Sequence, residues 1–326
     1  MAPYQKAVRQ PLPSSTKDLI FLDNQTHPTL PAATIAPAPS SDPSPKIRKL
    51  IMSSIVLLAT TGSFLVGTIA LGQRSLIFHP RPEPASLQLP PDAQRIPFVT
   101  ADGPQKALYL PPQGRRPDTS PQRLWVIFSG NASLGIDWLP YLEQDVRPHT
   151  TNAFLLVDYP GYGSNAGRPS EPSIQRTVDA VLDALAQHHD WTSASVRRDI
   201  RVLGFSLGAA AALKLAVREP VREIILLAPF VNLRQAATEA VGAALALLVI
   251  DRFDNRARLR EILATRQPPP PLTIYHGTSD RVISIQQGRE LARVYGEHAR
   301  LVEVPGVGHD LRADEHWTEI TQTLRR

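Results

Sequence analysis

The chain has no cysteine, only two methionines and 6% aromatic residues among its 326 positions. Without cysteine there are no disulfides, no thiol nucleophile, no cysteine-ligated metal and no acylated cysteine of the lipoprotein kind. A block of like charge is also missing. The formal charge is +5, but Lys6, Arg9, Lys17, Lys46, Arg48 and Lys49 against Asp18, Asp23 and Asp42 place +3 of it before residue 50, leaving +2 for the rest. The later arginines alternate with acids, so no basic stripe runs through the chain and no nucleic-acid partner is expected. No His, Asp and Glu grouping has a metal-ligand spacing. The glycines at 204–208 also lack the Lys-Ser/Thr that a phosphate loop needs. No metal and no cofactor are therefore expected.

What is present is the composition of a folded protein, 42% hydrophobic and 20% charged, preceded by two segments of different character. Residues 1–45 carry nine of the 32 prolines and no apolar periodicity; they read as a disordered Pro-rich tail that cannot bury enough surface to offset its ordering entropy. Next come Lys46-Ile47-Arg48-Lys49 and then Leu50 to Gly72, 23 residues without a charge. At a rise of about 1.5 Å per residue this run exceeds the roughly 30 Å of a hydrocarbon core. Residues 46–73 are thus expected to be a transmembrane anchor, with membrane contact through 50–72. A buried core helix is one alternative, and a cleaved signal segment ending at Ala70-Leu71-Gly72 is another. The run is longer than a signal core and begins late, which favours a retained single-pass anchor. Three basic residues before the span against Arg74 and Arg81 after it put the tail in the cytoplasm and the domain outside, in the periplasm if the cell is bacterial.

From residue 74 onward the pattern is one of alternating strands and helices. Ile96 to Thr100 and Ala107 to Leu110 read as an antiparallel pair joined near Asp102-Gly103. Short apolar runs at Arg123 to Phe128, Phe154 to Val157, Ile200 to Leu203, Ile224 to Leu227, Leu272 to Tyr275 and Leu301 to Val304 read as buried strands. Helices are expected at about Trp138 to Val146, Glu171 to His188, Ala209 to Val217, 285–295 and 314–324. This order predicts a mostly parallel central sheet with helices on both faces, which binds ligands at the carboxyl ends of its strands.

Gly204-Phe205-Ser206-Leu207-Gly208 lies between a strand and a helix. A serine with glycines at i−2 and i+2 in that context fits a nucleophile elbow, although a small-residue turn reads the same way. A serine hydroxyl needs a base, and the base needs a carboxylate to hold its tautomer. Two later strands run into His276-Gly277-Thr278-Ser279-Asp280 and Gly306-Val307-Gly308-His309-Asp310. They place Asp280 and His309 at successive carboxyl ends, in the chain order Ser, Asp, His of the hydrolase arrangement. The candidate catalytic residues are therefore Ser206, Asp280 and His309. Asp310 points away from its neighbour and is not expected to be the acid. Asp251 and Asp254 read as caps or salt-bridge partners, Asp158 as a brace for the turn through Gly161 and Gly163, His188 and His189 as helix-end partners, and His79 and His276 as structural.

Over roughly residues 75–326 the chain resembles serine hydrolases of the α/β-hydrolase superfamily. It is similar in particular to the branch of membrane-anchored bud-emergence-type proteins, protein depalmitoylases and serine-aminopeptidase-like hydrolases. The resemblance rests on Ser129-Gly130-Asn131-Ala132, Asp158 to Gly163 with Pro169-Ser170-Glu171, Gly204 to Gly208, Arg252-Phe253-Asp254-Asn255, and His276 to Asp280. Ser129 stands where that branch usually has histidine. The resemblance implies an α/β-hydrolase fold for residues 74–326, a small helical cap at about 230–267, and an oxyanion hole from the backbone N–H groups of Leu207 and Asn131. Ala240 to Ile250, eleven residues without charge, reads as a buried or pocket-covering helix. The expected activity is hydrolysis of a carboxylic ester or thioester, with a small-molecule or lipid-like acyl substrate. An aminopeptidase or amidase of the same fold and a non-catalytic anchored scaffold are the alternatives. The oligomeric state is not legible in the sequence.

Overall fold

The computed structural model describes residues 44–114, 119–242, 246–312 and 317–326. The expected tail at 1–45 lies outside these residues except for Ser44 and Pro45. Two compact units divide the chain, Met1–Val56 and Leu57–Arg326. The boundary falls inside the first helix, α1 (Pro45–Ile77). Its stretch Pro45–Phe64 is long and apolar enough to cross a membrane, and none of that stretch is buried. Leu57, Leu58 and Phe64 are all exposed, so this part of α1 is not a core helix.

The second unit is built on one eight-stranded sheet of order β1-β2-β4-β3-β5-β6-β7-β8. The strands are β1 (Gln94–Thr100), β2 (Gly103–Leu110), β3 (Leu124–Phe128), β4 (Ala153–Val157), β5 (Ile200–Phe205), β6 (Glu223–Leu227), β7 (Leu272–Gly277) and β8 (Ala299–Val304). β1 and β2 are antiparallel, as are β2 and β4; every other neighbouring pair is parallel. Every residue of β3 and β4 is buried, which is why these segments read as unbroken apolar runs: both faces of a parallel sheet are covered. The exposed edge strand β1 alternates instead.

Four of the longer helices described begin where the sequence supplies a side-chain cap. α2 (Glu171–His188) starts behind Ser170, whose Oγ accepts from the Ser173 N–H at 3.1 Å, and it buries Ile174, Val178, Val181, Leu182 and Leu185. α3 (Leu207–Arg218) buries ten of its twelve residues, and its alanines let it lie close to the sheet. α4 (Leu233–Val241) is capped by Asn232, α5 (Asn255–Thr265) by Asp254 and α6 (Ile285–Tyr295) by Ser284; α7 (Trp317–Arg325) closes the chain. The helix expected at Trp138 to Val146 is a succession of short irregular turns from Gly135 to His149. Of the helix expected over Ala240 to Ile250, Ala240, Val241 and Ala246 are helical. α4 begins earlier, at the Asn232 cap, and stops where Gly242 takes φ +88°; residues 243–245 lie outside the described residues.

Polar groups tie this covering segment to the sheet. Glu171 accepts the Arg252 and Phe253 N–H groups at 2.9 and 3.0 Å and the Lys214 ammonium at 3.1 Å. Lys214 is only 5% exposed, and burial pulls its pKa down although Glu171 opposes this. Burial would raise the Glu171 carboxyl, but the Phe253 N–H and Lys214 outweigh it and hold it below the usual range. Asn255 completes the join by donating to the Phe230 carbonyl at 2.8 Å.

Gly208 is the tightest of the described glycines. A Cβ there would lie under 3.0 Å from the Phe128 and Ser129 carbonyl oxygens. Gly208→Ala is expected to lower stability by more than the roughly 1–3 kcal/mol usual for an added methyl, because the obstacle is backbone. Gly308→Ala, where nothing lies within 4 Å of the new Cβ, is expected to melt within a few degrees of the wild type, as thermal unfolding followed by circular dichroism would reveal.

Candidate active site

β5 delivers Ser206 into a turn with φ +53° and ψ −113°, a strained conformation for a residue with a side chain. The strain is held by the Ser206 N–H donating to the Leu227 carbonyl at 2.8 Å and the Ala209 N–H donating to the Ser206 carbonyl at 3.0 Å. Gly204 is required for the same reason as Gly208: its Cβ would meet the Gly208 carbonyl. Ser206 stands at the carboxyl end of β5 and the N-terminus of α3, 8% exposed. Leu207 opens α3, so its N–H has no partner within the helix. Among the described residues neither the Leu207 N–H nor the Asn131 N–H donates a hydrogen bond within the protein.

The loops after β7 and β8 bring Asp280 and His309 to this serine. His309 Nε2 lies 3.0 Å from Ser206 Oγ, and His309 Nδ1 lies 2.7 Å from Asp280 Oδ2. The other oxygen, Asp280 Oδ1, accepts the Val282 and Ile283 N–H groups at 2.8 and 2.9 Å. His276, fully buried, places Nε2 2.9 Å from the Ile283 carbonyl and 3.4 Å from Asp280 Oδ2. Burial would raise the Asp280 carboxyl, but hydrogen bonds from His276, His309 and Ile283 outweigh it and hold it well below the usual range.

The loop after β3 is fixed by side chains, whereas from the sequence only the backbone N–H of Asn131 is expected to act there. Asn131 Oδ1 accepts from the His79 N–H at 2.9 Å, the Tyr162 hydroxyl at 2.6 Å and the Ala132 N–H at 3.2 Å, while its Nδ2 donates to the Ile77 carbonyl at 2.6 Å. Ser129 accepts the Trp138 indole N–H at 3.1 Å, and its carbonyl accepts the Tyr159 hydroxyl at 2.6 Å. The sequence signals for this were the Ser129-Gly130-Asn131-Ala132 turn and the two tyrosines of Asp158 to Gly163.

Ser206, Leu207, Asn131, Ala132 and His309 share one cavity of about 750 Å³, within the usual size for a small-molecule site. Its remaining wall is mostly apolar: Ile77, Phe205, Phe230, Leu233, Leu248 and Val249 contribute, with Gln73 and His79 among the few polar groups.

A model of the alpha/beta hydrolase family matches residues 125–265. An uncharacterized protein of Mycobacterium tuberculosis, Rv2307c, is 30% identical over 272 residues, covering 81% of this chain and 89% of its own. The chain belongs to the alpha/beta hydrolase family. Alpha/beta hydrolase domain-containing protein 17B of Xenopus laevis is 28% identical over 154 residues, 47% of this chain and 49% of that protein. Among solved structures, the Pyrococcus furiosus esterase Pf2001 aligns with a TM-score of 0.57 at 13% identity, covering 76% of this chain and 96% of the esterase. An alpha-beta hydrolase of Vibrio vulnificus aligns with a TM-score of 0.56 at 16% identity, covering 72% and 81%. At these identities the structural likeness is one of fold.

The other titratable residues of this hydrolase have separate partners. Asp310 pairs with Arg312 at 2.8 Å, whose guanidinium lies over the Phe205, Trp138 and Tyr141 rings. Asp251 pairs with Arg74 at 3.0 Å and caps α2 through the Glu171 N–H, and Asp254 caps α5. His188 ends α2 and His189 is its C-cap residue, whose ring stacks on Trp191 at 4.1 Å. Asp158 does not brace its own turn through the glycines. Its carboxylate accepts the Gly135 N–H at 2.7 Å, while the Gly161 N–H donates to the Asn165 and Ala166 carbonyls. Burial pushes the Asp158 carboxyl up to about 7.

These two carboxyls have opposite pH signatures. Asp280 titrates lower folded than unfolded, so its stabilisation is complete above the unfolded aspartate value of about 3.9 and is lost as pH falls below it. The stability gap between wild type and Asp280→Asn, measured by urea unfolding, is expected to be largest near neutrality and to shrink under acid conditions. Asp158 titrates higher folded, so wild-type stability is expected to fall as pH rises from about 4 to about 7. That slope should be absent in Asp158→Asn.

Proposed function

We propose that the protein is a membrane-anchored serine hydrolase that cleaves a carboxylic ester or thioester through an acyl-enzyme. The observation that carries this reading is the hydrogen-bonded line from Ser206 Oγ through the His309 imidazole to the Asp280 carboxylate. Ser206 Oγ attacks the acyl carbonyl while His309 Nε2 takes its proton; Asp280 holds the Nδ1 proton and stabilises the imidazolium. The tetrahedral oxyanion receives hydrogen bonds from the Leu207 and Asn131 N–H groups, and losing one such donor costs about 3 kcal/mol in the transition state. His309 then returns its proton to the departing alkoxide or thiolate. Water, deprotonated by the same imidazole, releases the acid and restores Ser206.

Two features favour an ester or thioester over a peptide. No acidic side chain is among the described cavity-lining residues, so nothing there would pair with a substrate amino group, and the wall is apolar enough for an acyl chain. The name of the Pyrococcus furiosus esterase accords with this. α1 would hold the hydrolase at the membrane, with the domain on the extracytoplasmic side by the distribution of basic residues. A scaffold without turnover would have no need to keep a serine strained beside an imidazole.

Fluorophosphonate labelling of the detergent-solubilised full chain is the test. Wild type is expected to label, while Ser206→Ala and His309→Ala label at background. A folded wild type that stays unlabelled would overturn the nucleophile assignment.

A further inference from the structure

Outside α1, four large apolar side chains are exposed among the described residues: Val99, Leu247, Ile250 and Val282. Three of them gather at the cavity. Val282, 62% exposed, lines it; Leu247 and Ile250, 67% and 57% exposed, bracket Leu248 and Val249, which line it. Segment 246–250 therefore turns two neighbouring apolar side chains into the cavity and two outward. Isolated exposed leucines need no explanation, but a cluster at the rim of an apolar cavity does.

The same segment is fastened to the end of α1. The Ile250 N–H donates to Gln73 Oε1 at 2.8 Å, and Asp251 pairs with Arg74 at 3.0 Å. Gln73 follows directly on Gly72, the last residue of the uncharged run, and Gln73 and Ile77 themselves line the cavity. The rim thus lies at the level where α1 leaves its apolar stretch. Arg74 and Arg252, both exposed, stand at that level too, where cationic heads on apolar stems suit lipid headgroups.

We infer that segment 246–250, together with Val282, is a bilayer-contact surface, and that the cavity draws a long-chain lipid ester directly from the membrane through this rim. The inference rests on the reading of α1 as an anchor and of Ser206 as the nucleophile. Leu247 and Ile250 enter the interfacial layer, and Leu248, Val249 and Val282 continue the apolar path toward Ser206. A long chain then reaches the serine without crossing water.

The cysteine-free sequence makes a direct test possible. Leu247→Cys, Ile250→Cys and Glu297→Cys are each labelled with an environment-sensitive fluorophore in the full chain, reconstituted into phosphatidylcholine vesicles with and without a nitroxide-bearing lipid. Glu297 is exposed and precedes β8, at the end of the sheet opposite Ser206. Labels at 247 and 250 are expected to be quenched by the nitroxide and the label at 297 is not. Equal quenching at all three positions, or a blue-shifted but unquenched label at 247 that marks a second copy on this surface, would overturn the inference.

A Leu247→Asp, Ile250→Asp double variant adds the functional arm. Hydrolysis of a long-chain ester held in vesicles is expected to fall about tenfold or more, while a short soluble ester is cleaved within about twofold of wild type. Unchanged vesicle hydrolysis would refute access through the rim. If quenching is seen but wild type cleaves neither ester, the membrane surface stands and the hydrolase reading fails.

Discussion

Where α3 passes the end of β3, the two backbones approach so closely that there is no room for a side chain between Gly208 and the Phe128 and Ser129 carbonyls. Everything at the site depends on it. The contact presses the N-terminus of α3 against the loop after β3, so the free N–H groups of Leu207 and Asn131 border the same cavity as Ser206. It also forces Ser206 into its positive-φ conformation, which a looser junction would let relax.

Polar clamps hold what the sheet alone would leave free. Asn131 uses three acceptor contacts and one donated bond to fix the β3 loop to the exit of α1 and to Tyr162. Glu171 and buried Lys214 perform a similar task elsewhere, joining α2, α3 and the backbone at Arg252 and Phe253. Both clusters are satisfied by several hydrogen bonds each, which is the condition under which buried polar groups specify a geometry instead of weakening it.

Asp280 is held more firmly than His309. Asp280 is buried and receives bonds from two backbone N–H groups and faces two imidazoles, whereas His309 is partly exposed and rests against Phe205 at 5.2 Å between ring centroids. A carboxylate so fixed would let the imidazole keep one tautomer, as the proposed proton exchange between its Nε2 and the serine requires.

The sequence by itself determined the strand and helix order, the parallel character of the sheet, and the candidates Ser206, Asp280 and His309. These are local properties: apolar runs, glycines at a tight turn, and residues just beyond strand ends. The apolar stretch of α1 was legible for the same reason, since length and absence of charge decide it. Tertiary structure alone decided the rest. That Asn131 works through its side chain, that Ser129 pairs with Trp138, that His276 shares Asp280 with His309, and that Glu171 meets Lys214 all depend on residues distant in sequence arriving at one place. The limits of the covering segment at Ala240 to Ile250 were not legible because an uncharged run carries no boundary signal, while the Asn232 cap and Gly242 set the limits of α4. Periodicity reports which face of an element is buried; only the packed fold reports what it is buried against.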